Sequence, residues 1–112
     1  MDAEYARELL ARERARVRRQ LARLTGEIKE DQVSLEDDYE AADSHLEDHE
    51  VNQALVEQLR EELAAIERAQ QRLDEGTYGV SIESGQPIPD GRLEAIPWAE
   101  RSAAEQEAHD RA

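Results

Sequence analysis

The sequence predicts a mainly α protein. An antiparallel coiled-coil hairpin over residues 1–75 is followed by a small lobe over 76–112, which holds a short β-hairpin and a C-terminal helix. Three observations predict it. Two stretches of similar length carry apolar residues at heptad spacing, and that periodicity stops at Gly76. The chain also has no Phe, one Trp and three Tyr against a charged share of 38%, which is too little bulk for a deep globular core. A two-helix hairpin with a thin seam suits that composition.

The first helix is expected over about 2–30. Leu10, Val17, Leu21, Leu24 and Ile28 follow in steps of seven, four, three and four, with Arg14 at the skipped position. Its outward faces mix arginines such as Arg7, Arg12 and Arg18 with Glu4, Glu8 and Glu13. That is the pattern of a solvated, salt-laced helix, although the same arginines could dock on an acidic rim of a partner. The second helix is expected from 44 or 47 to 74. Val56, Leu59, Leu63, Ile66 and Leu73 form its seam, with Gln70 at the skipped position. Helices of about 27 residues at about 1.5 Å per residue make an arm of about 40 Å.

Between them, at about 31–50, lies a strongly acidic tip. It contains Asp37, Asp38, Glu40 and Asp43, and Lys29 is the only Lys or Arg from Glu27 to Glu50. The arm is therefore mixed in charge along its shaft and negative at its end. His45 and His49, four apart near the tip, read as exposed polar residues.

After Gly76 the pattern changes. Residues 77–82 read as a short strand entered through a glycine C-cap, and 84–85 and 87–91 as turns. Tyr78, Ile82, Ile88, Leu93, Ile96 and Trp98 supply the apolar groups for the lobe core. Pro97 is suited to open a last helix over about 98–110.

A net charge of −14 argues against direct DNA binding and against an anionic membrane surface, since both need clustered Lys and Arg. The absence of cysteine excludes disulfides and thiolate chemistry. No secretory signal pattern and no span of about 18 apolar residues is visible, so a cytoplasmic location is expected. An enzyme is not expected: there is no Cys nucleophile and no Gly-rich phosphate loop, and the Ser, His and Asp residues fall on predicted exposed helices and loops.

Several motifs then coincide in order. Glu57-Gln58-Leu59-Arg60-Glu61-Glu62-Leu63 leads into Arg72-Leu73-Asp74-Glu75-Gly76-Thr77-Tyr78-Gly79. Gly85-x-Pro87-Ile88-Pro89 and Arg92-Leu93-Glu94-Ala95-x-Pro97-x-Ala99 follow. With the coiled coil before them, these motifs resemble the DksA/TraR transcription regulators over almost the whole chain. The resemblance implies a bacterial regulator that binds RNA polymerase and inserts its coiled coil into the secondary channel. Acidic tip residues there act near the catalytic magnesium. The family's tip pattern Asp-x-x-Asp-x-Ala is matched here by Asp37-x-x-Glu40-x-Ala42, with Asp38 and Asp43 beside it.

Two departures from the family bear on mechanism. Where it writes Cys-x-x-Cys twice around a structural zinc, this chain has Ser81-x-x-Ser84 and Ser102-x-x-Glu105. Neutral hydroxyls are poor zinc ligands, and Glu105 with His109 one turn on makes a weak pair at best. The lobe thus reads as a degenerate zinc finger, with no zinc or other cofactor expected. Ile96 stands where some members carry a basic residue that helps bind guanosine tetraphosphate, so that alarmone is a doubtful ligand. The expected function is a zinc-free, polymerase-binding transcription regulator. The alternative is a coiled-coil scaffold that has lost the polymerase; an acidic nucleic-acid mimic rests on net charge alone.

Overall fold

The computed structural model describes residues 1–26 and 49–112. It is mainly helical: α1 spans Ala3–Thr25, α2 His49–Glu75, α3 Asp90–Ala95 and α4 Ala103–Arg111. The tip residues Asp37, Asp38, Glu40 and Asp43 lie outside the described residues. So does the expected end of the first helix near position 30.

Each helix boundary has a local cause. Asp2 caps α1: its carboxylate accepts the Tyr5 N–H at 3.1 Å and its carbonyl accepts the Ala6 N–H at 2.9 Å. Gly26, just past Thr25, takes a left-handed φ of 74°. Helix α2 ends in a Schellman motif. Gly76 sits at φ 79°, its N–H donates to Leu73 O at 3.3 Å, and the Thr77 N–H donates to Arg72 O at 2.9 Å. A side chain at 76 would be strained in that conformation even though nothing stands in its way.

The chain forms two compact units. One comprises Met1–Arg12 with Ala65–Ala112, the other Glu13–Ala64. In the first, Arg7 near the start of α1 pairs with Asp74 near the end of α2 at 3.5 Å, so the two helices run antiparallel there. Ala6, Leu10, Ala65, Ile66 and Ala69 are buried in this unit. In the second, Val17, Ala22 and Leu59 are buried. Arg16 donates to Glu62 at 2.8 Å, to Glu13 at 2.9 Å and to Gln20 at 2.9 Å. The expected seam residues Leu21, Leu24, Val56, Leu63 and Leu73 are only half-buried. Ala6, Ala22, Ala65 and Ala69 are the buried small residues of these helices.

The C-terminal lobe belongs to the first unit. Its core is Ile88, Leu93 and Ala99, with Met1, Tyr78 and Ile96 packed against it. The Tyr78 hydroxyl donates to Pro97 O at 2.8 Å, which pins the start of the lobe to the segment after α3.

Four sequence expectations for the lobe are corrected. The β-hairpin reduces to one antiparallel bridge, Val80 with Pro87, among the described residues. Ile82 is 52% exposed and stands outside the core: it lies in the turn that follows Ser81, and Ser81 is the side chain buried there. Trp98 is half-buried and precedes the last helix, which begins at Ala103. Finally, part of the expected turn is α3. Arg92 and Leu93 donate their N–H groups to Pro89 O at 3.0 and 3.1 Å, which starts a helical turn that buries Leu93.

Candidate functional site

Ser81, Ser84, Ser102 and Glu105 all lie within the described lobe. The first two belong to a tight turn. The Ser81 N–H donates to Gln86 O at 2.8 Å, and the Gly85 N–H returns to Ser81 O at 2.9 Å. Inside this turn the Ser81 hydroxyl oxygen accepts two backbone bonds, from Glu83 N–H at 3.0 Å and Ser84 N–H at 3.2 Å. The Ser84 oxygen accepts one from Gln86 N–H at 3.3 Å. Ser81 is 4% exposed, a buried polar side chain in a lobe of mostly exposed turn residues.

Ser102 and Glu105 open α4 as a capping box. The Ser102 oxygen accepts the Glu105 N–H at 3.2 Å, and the Glu105 carboxylate accepts the Ser102 N–H at 2.9 Å. That carboxyl is pulled from 4.5 down to about 2, first by the Ser102 amide and then by the hydroxyls of Ser81, Ser84 and Ser102. The two segments are tied elsewhere as well. The Ile82 N–H donates to Glu100 O at 2.9 Å, and the Arg101 guanidinium pairs with Glu83. The structure thus ties the turn that carries Ser81 and Ser84 to the segment that leads into Ser102 and Glu105.

This donor set does not fit a structural zinc. Such an ion takes thiolate, imidazole or carboxylate ligands, usually four in a tetrahedron. Three of the groups are hydroxyls. The Ser81 oxygen has both lone pairs occupied by N–H donors, and Glu105 is engaged by Ser102. His109 is exposed near the end of α4. Among the described residues no three His, Cys, Asp or Glu side chains gather as a metal ion would require.

A second group was not singled out in the sequence. Glu100, 14% exposed, receives Arg68 Nε and Nη2 at 2.9 Å each and Arg72 Nη1 at 3.1 Å. Hydrogen bonding from Arg68, reinforced by the charges of both arginines, holds the Glu100 carboxyl below the usual range against the opposing effect of burial. Arg72 Nη2 is buried without a hydrogen-bond partner. Arg92 Nε donates to Arg101 O at 2.8 Å, fixing the same segment from the side of α3. The signal is a single Glu two residues after Trp98, with no periodicity to mark it.

Comparison with known proteins places these features. Residues 76–111 match the family model described as prokaryotic dksA/traR C4-type zinc finger. General stress protein 16O of Bacillus subtilis is 40% identical, over 68% of this chain and 53% of that protein. The RNA polymerase-binding transcription factor DksA of Caulobacter vibrioides is 42% identical over 46% of this chain and 37% of its own length. The chain thus spans about half, or less, of the curated relatives it matches. Among solved structures, transcription factor DksA2 from Pseudomonas aeruginosa superposes with a TM-score of 0.70. That match covers 97% of this chain and 83% of the other, at 28% identity.

Proposed function

The chain belongs to the DksA/TraR family as a DksA-like member, and we propose that it is a bacterial transcription regulator that binds RNA polymerase. The observation that carries this reading is the likeness to DksA2 over 97% of the chain, which extends well beyond the finger motif itself. In the proposed mode of action the acidic tip enters the polymerase secondary channel. Asp37, Asp38, Glu40 and Asp43 face the active centre, where clustered carboxylates are drawn to bound cations and basic loops. The protein contributes no chemistry of its own. It binds no DNA directly and acts in the cytoplasm. Its lobe is folded without zinc; the donor chemistry of Ser81, Ser84, Ser102 and Glu105 supports that reading. No helix among the described residues is long and apolar enough to cross a membrane.

The test is binding to bacterial core RNA polymerase, with a Gre-type cleavage factor as competitor. Wild type is compared with a variant carrying Ala at positions 37, 38, 40 and 43. Competed binding by the wild type, with transcriptional effect lost in the variant, is the expected result. No binding at micromolar concentration would overturn the reading in favour of a coiled-coil scaffold.

A further inference from the structure

Resting on the zinc-free reading of the lobe, we propose that Glu100 and Arg101 form a relay that couples the turn at 81–85 to the last two turns of α2. Cross-linking by an ion is replaced by cross-linking through two adjacent side chains and their carbonyls. Arg68 and Arg72 of α2 thereby govern a turn whose own hydrogen bonds they do not share.

The bonds run in both directions from the same two residues. Toward α2, the Glu100 carboxylate receives Arg68 Nε and Nη2 at 2.9 Å each and Arg72 Nη1 at 3.1 Å. Toward the turn, the Glu100 carbonyl accepts the Ile82 N–H at 2.9 Å, and the Arg101 guanidinium pairs with Glu83. The Arg101 carbonyl also accepts Arg92 Nε at 2.8 Å, which brings in α3.

Glu100 and Arg101 belong to no helix or strand. They lie between Ala99, buried in the lobe core, and Ser102, the cap of α4. What they bind therefore sets where they sit. A guanidinium fork on a carboxylate fixes direction as well as distance. Arg72 and Glu100 are only 15% and 14% exposed, so solvent screens their pairing less than it would at the surface. Arg72 acts twice: its carbonyl accepts the Thr77 N–H where the chain leaves α2, and its side chain holds Glu100 where the chain comes back. The bonds inside the turn, to the Ser81 and Ser84 oxygens and from Gly85 N–H to Ser81 O, shape it without attaching it to anything else. Attachment falls to Ile82 and Glu83, and both lead to the relay.

The test is amide hydrogen exchange in the full chain. Arg68→Ala alters a side chain that is 53% exposed and makes no bond to the turn. It should accelerate exchange at Ile82 and across 81–85 about tenfold, while the middle of α2 keeps its protection. Glu100→Gln breaks the fork from the other side and should have a similar effect, so the test stands if either variant fails to fold. Arg7→Ala is the control. It removes the equally exposed Arg7–Asp74 pair, which lies outside the relay, and should leave 81–85 unchanged. Unaltered exchange at Ile82 in both relay variants would overturn the proposal, and so would equal acceleration by Arg7→Ala, which would mean general loosening. The zinc-free reading fails in a different way: chelator would then loosen 81–85 in the wild type, and elemental analysis would return zinc.

Discussion

Arg68 lays the fork of its guanidinium along the Glu100 carboxylate, Nε to one oxygen and Nη2 to the other, both at 2.9 Å. Two parallel charge-assisted bonds fix direction as well as distance. They orient the segment that runs from Glu100 through the Arg101–Glu83 pair to the cap of α4. Glu100→Gln should cost about 2 kcal/mol, the range for hydrogen bonds to charged groups. Glu100→Ala should cost more, because it strands the half-buried Arg72. Chemical denaturation followed by Trp98 fluorescence would measure both.

Acid should loosen the lobe. Glu105 titrates at about 2 in the folded chain against an ordinary value of 4.5, and Glu100 is also depressed. Folded groups with lowered pKa bind fewer protons than unfolded ones, so their contribution is complete above the ordinary carboxylate value and is lost as pH falls toward the folded value. The expected loss lies between about pH 5 and 2. A double variant, Glu100→Gln with Glu105→Gln, should show a flatter stability profile across that window. An equally steep profile would mean that other carboxyls carry the effect.

At Gly76, where φ is 79°, substitution by Ala should destabilise the chain by about 1–2 kcal/mol, the penalty for an L residue in the left-handed region. The thermal midpoint is the measurement. Gly91→Ala is the control, because Gly91 has ordinary φ and open space around it, and it should leave the midpoint nearly unchanged.

Ile66 is fully buried in α2. Ile66→Ala should cost about 2–5 kcal/mol, whereas Leu55→Ala, at a residue 38% exposed, should cost far less. Comparable losses at the two sites would contradict the burial pattern.

The hairpin was legible in the sequence because Leu and Val stand out against charged neighbours at heptad spacing. The buried alanines were not. In a helix this rich in Ala, nothing marks Ala6, Ala22, Ala65 or Ala69 as inward-facing until the partner is in place. Helix α3 was hidden because Pro89, Asp90 and Gly91 are turn residues, although Pro and Asp also open helices. Hydrophobicity alone points Ile82 to the core, yet it falls in the turn after Ser81 and is exposed. Ser102-x-x-Glu105 carried two messages at once, a pair of lost metal-ligand positions and a capping-box signature. The second message sets the start of α4 at Ala103, after the Ser102 cap.

The alanines have a consequence for alignment along the hairpin. Smooth methyl surfaces resist sliding poorly, since one alanine is much like the next. What penalises a slipped pairing is the handful of larger buried groups, Leu10, Val17, Leu59 and Ile66, together with Arg7–Asp74 in one unit and Arg16–Glu62 in the other. The first of those ion pairs is largely exposed, at 54% and 72%, and so is readily screened. Ionic strength should therefore act on the fidelity of pairing more than on helix content: in concentrated salt the same helices remain, and their choice of neighbours becomes less strict.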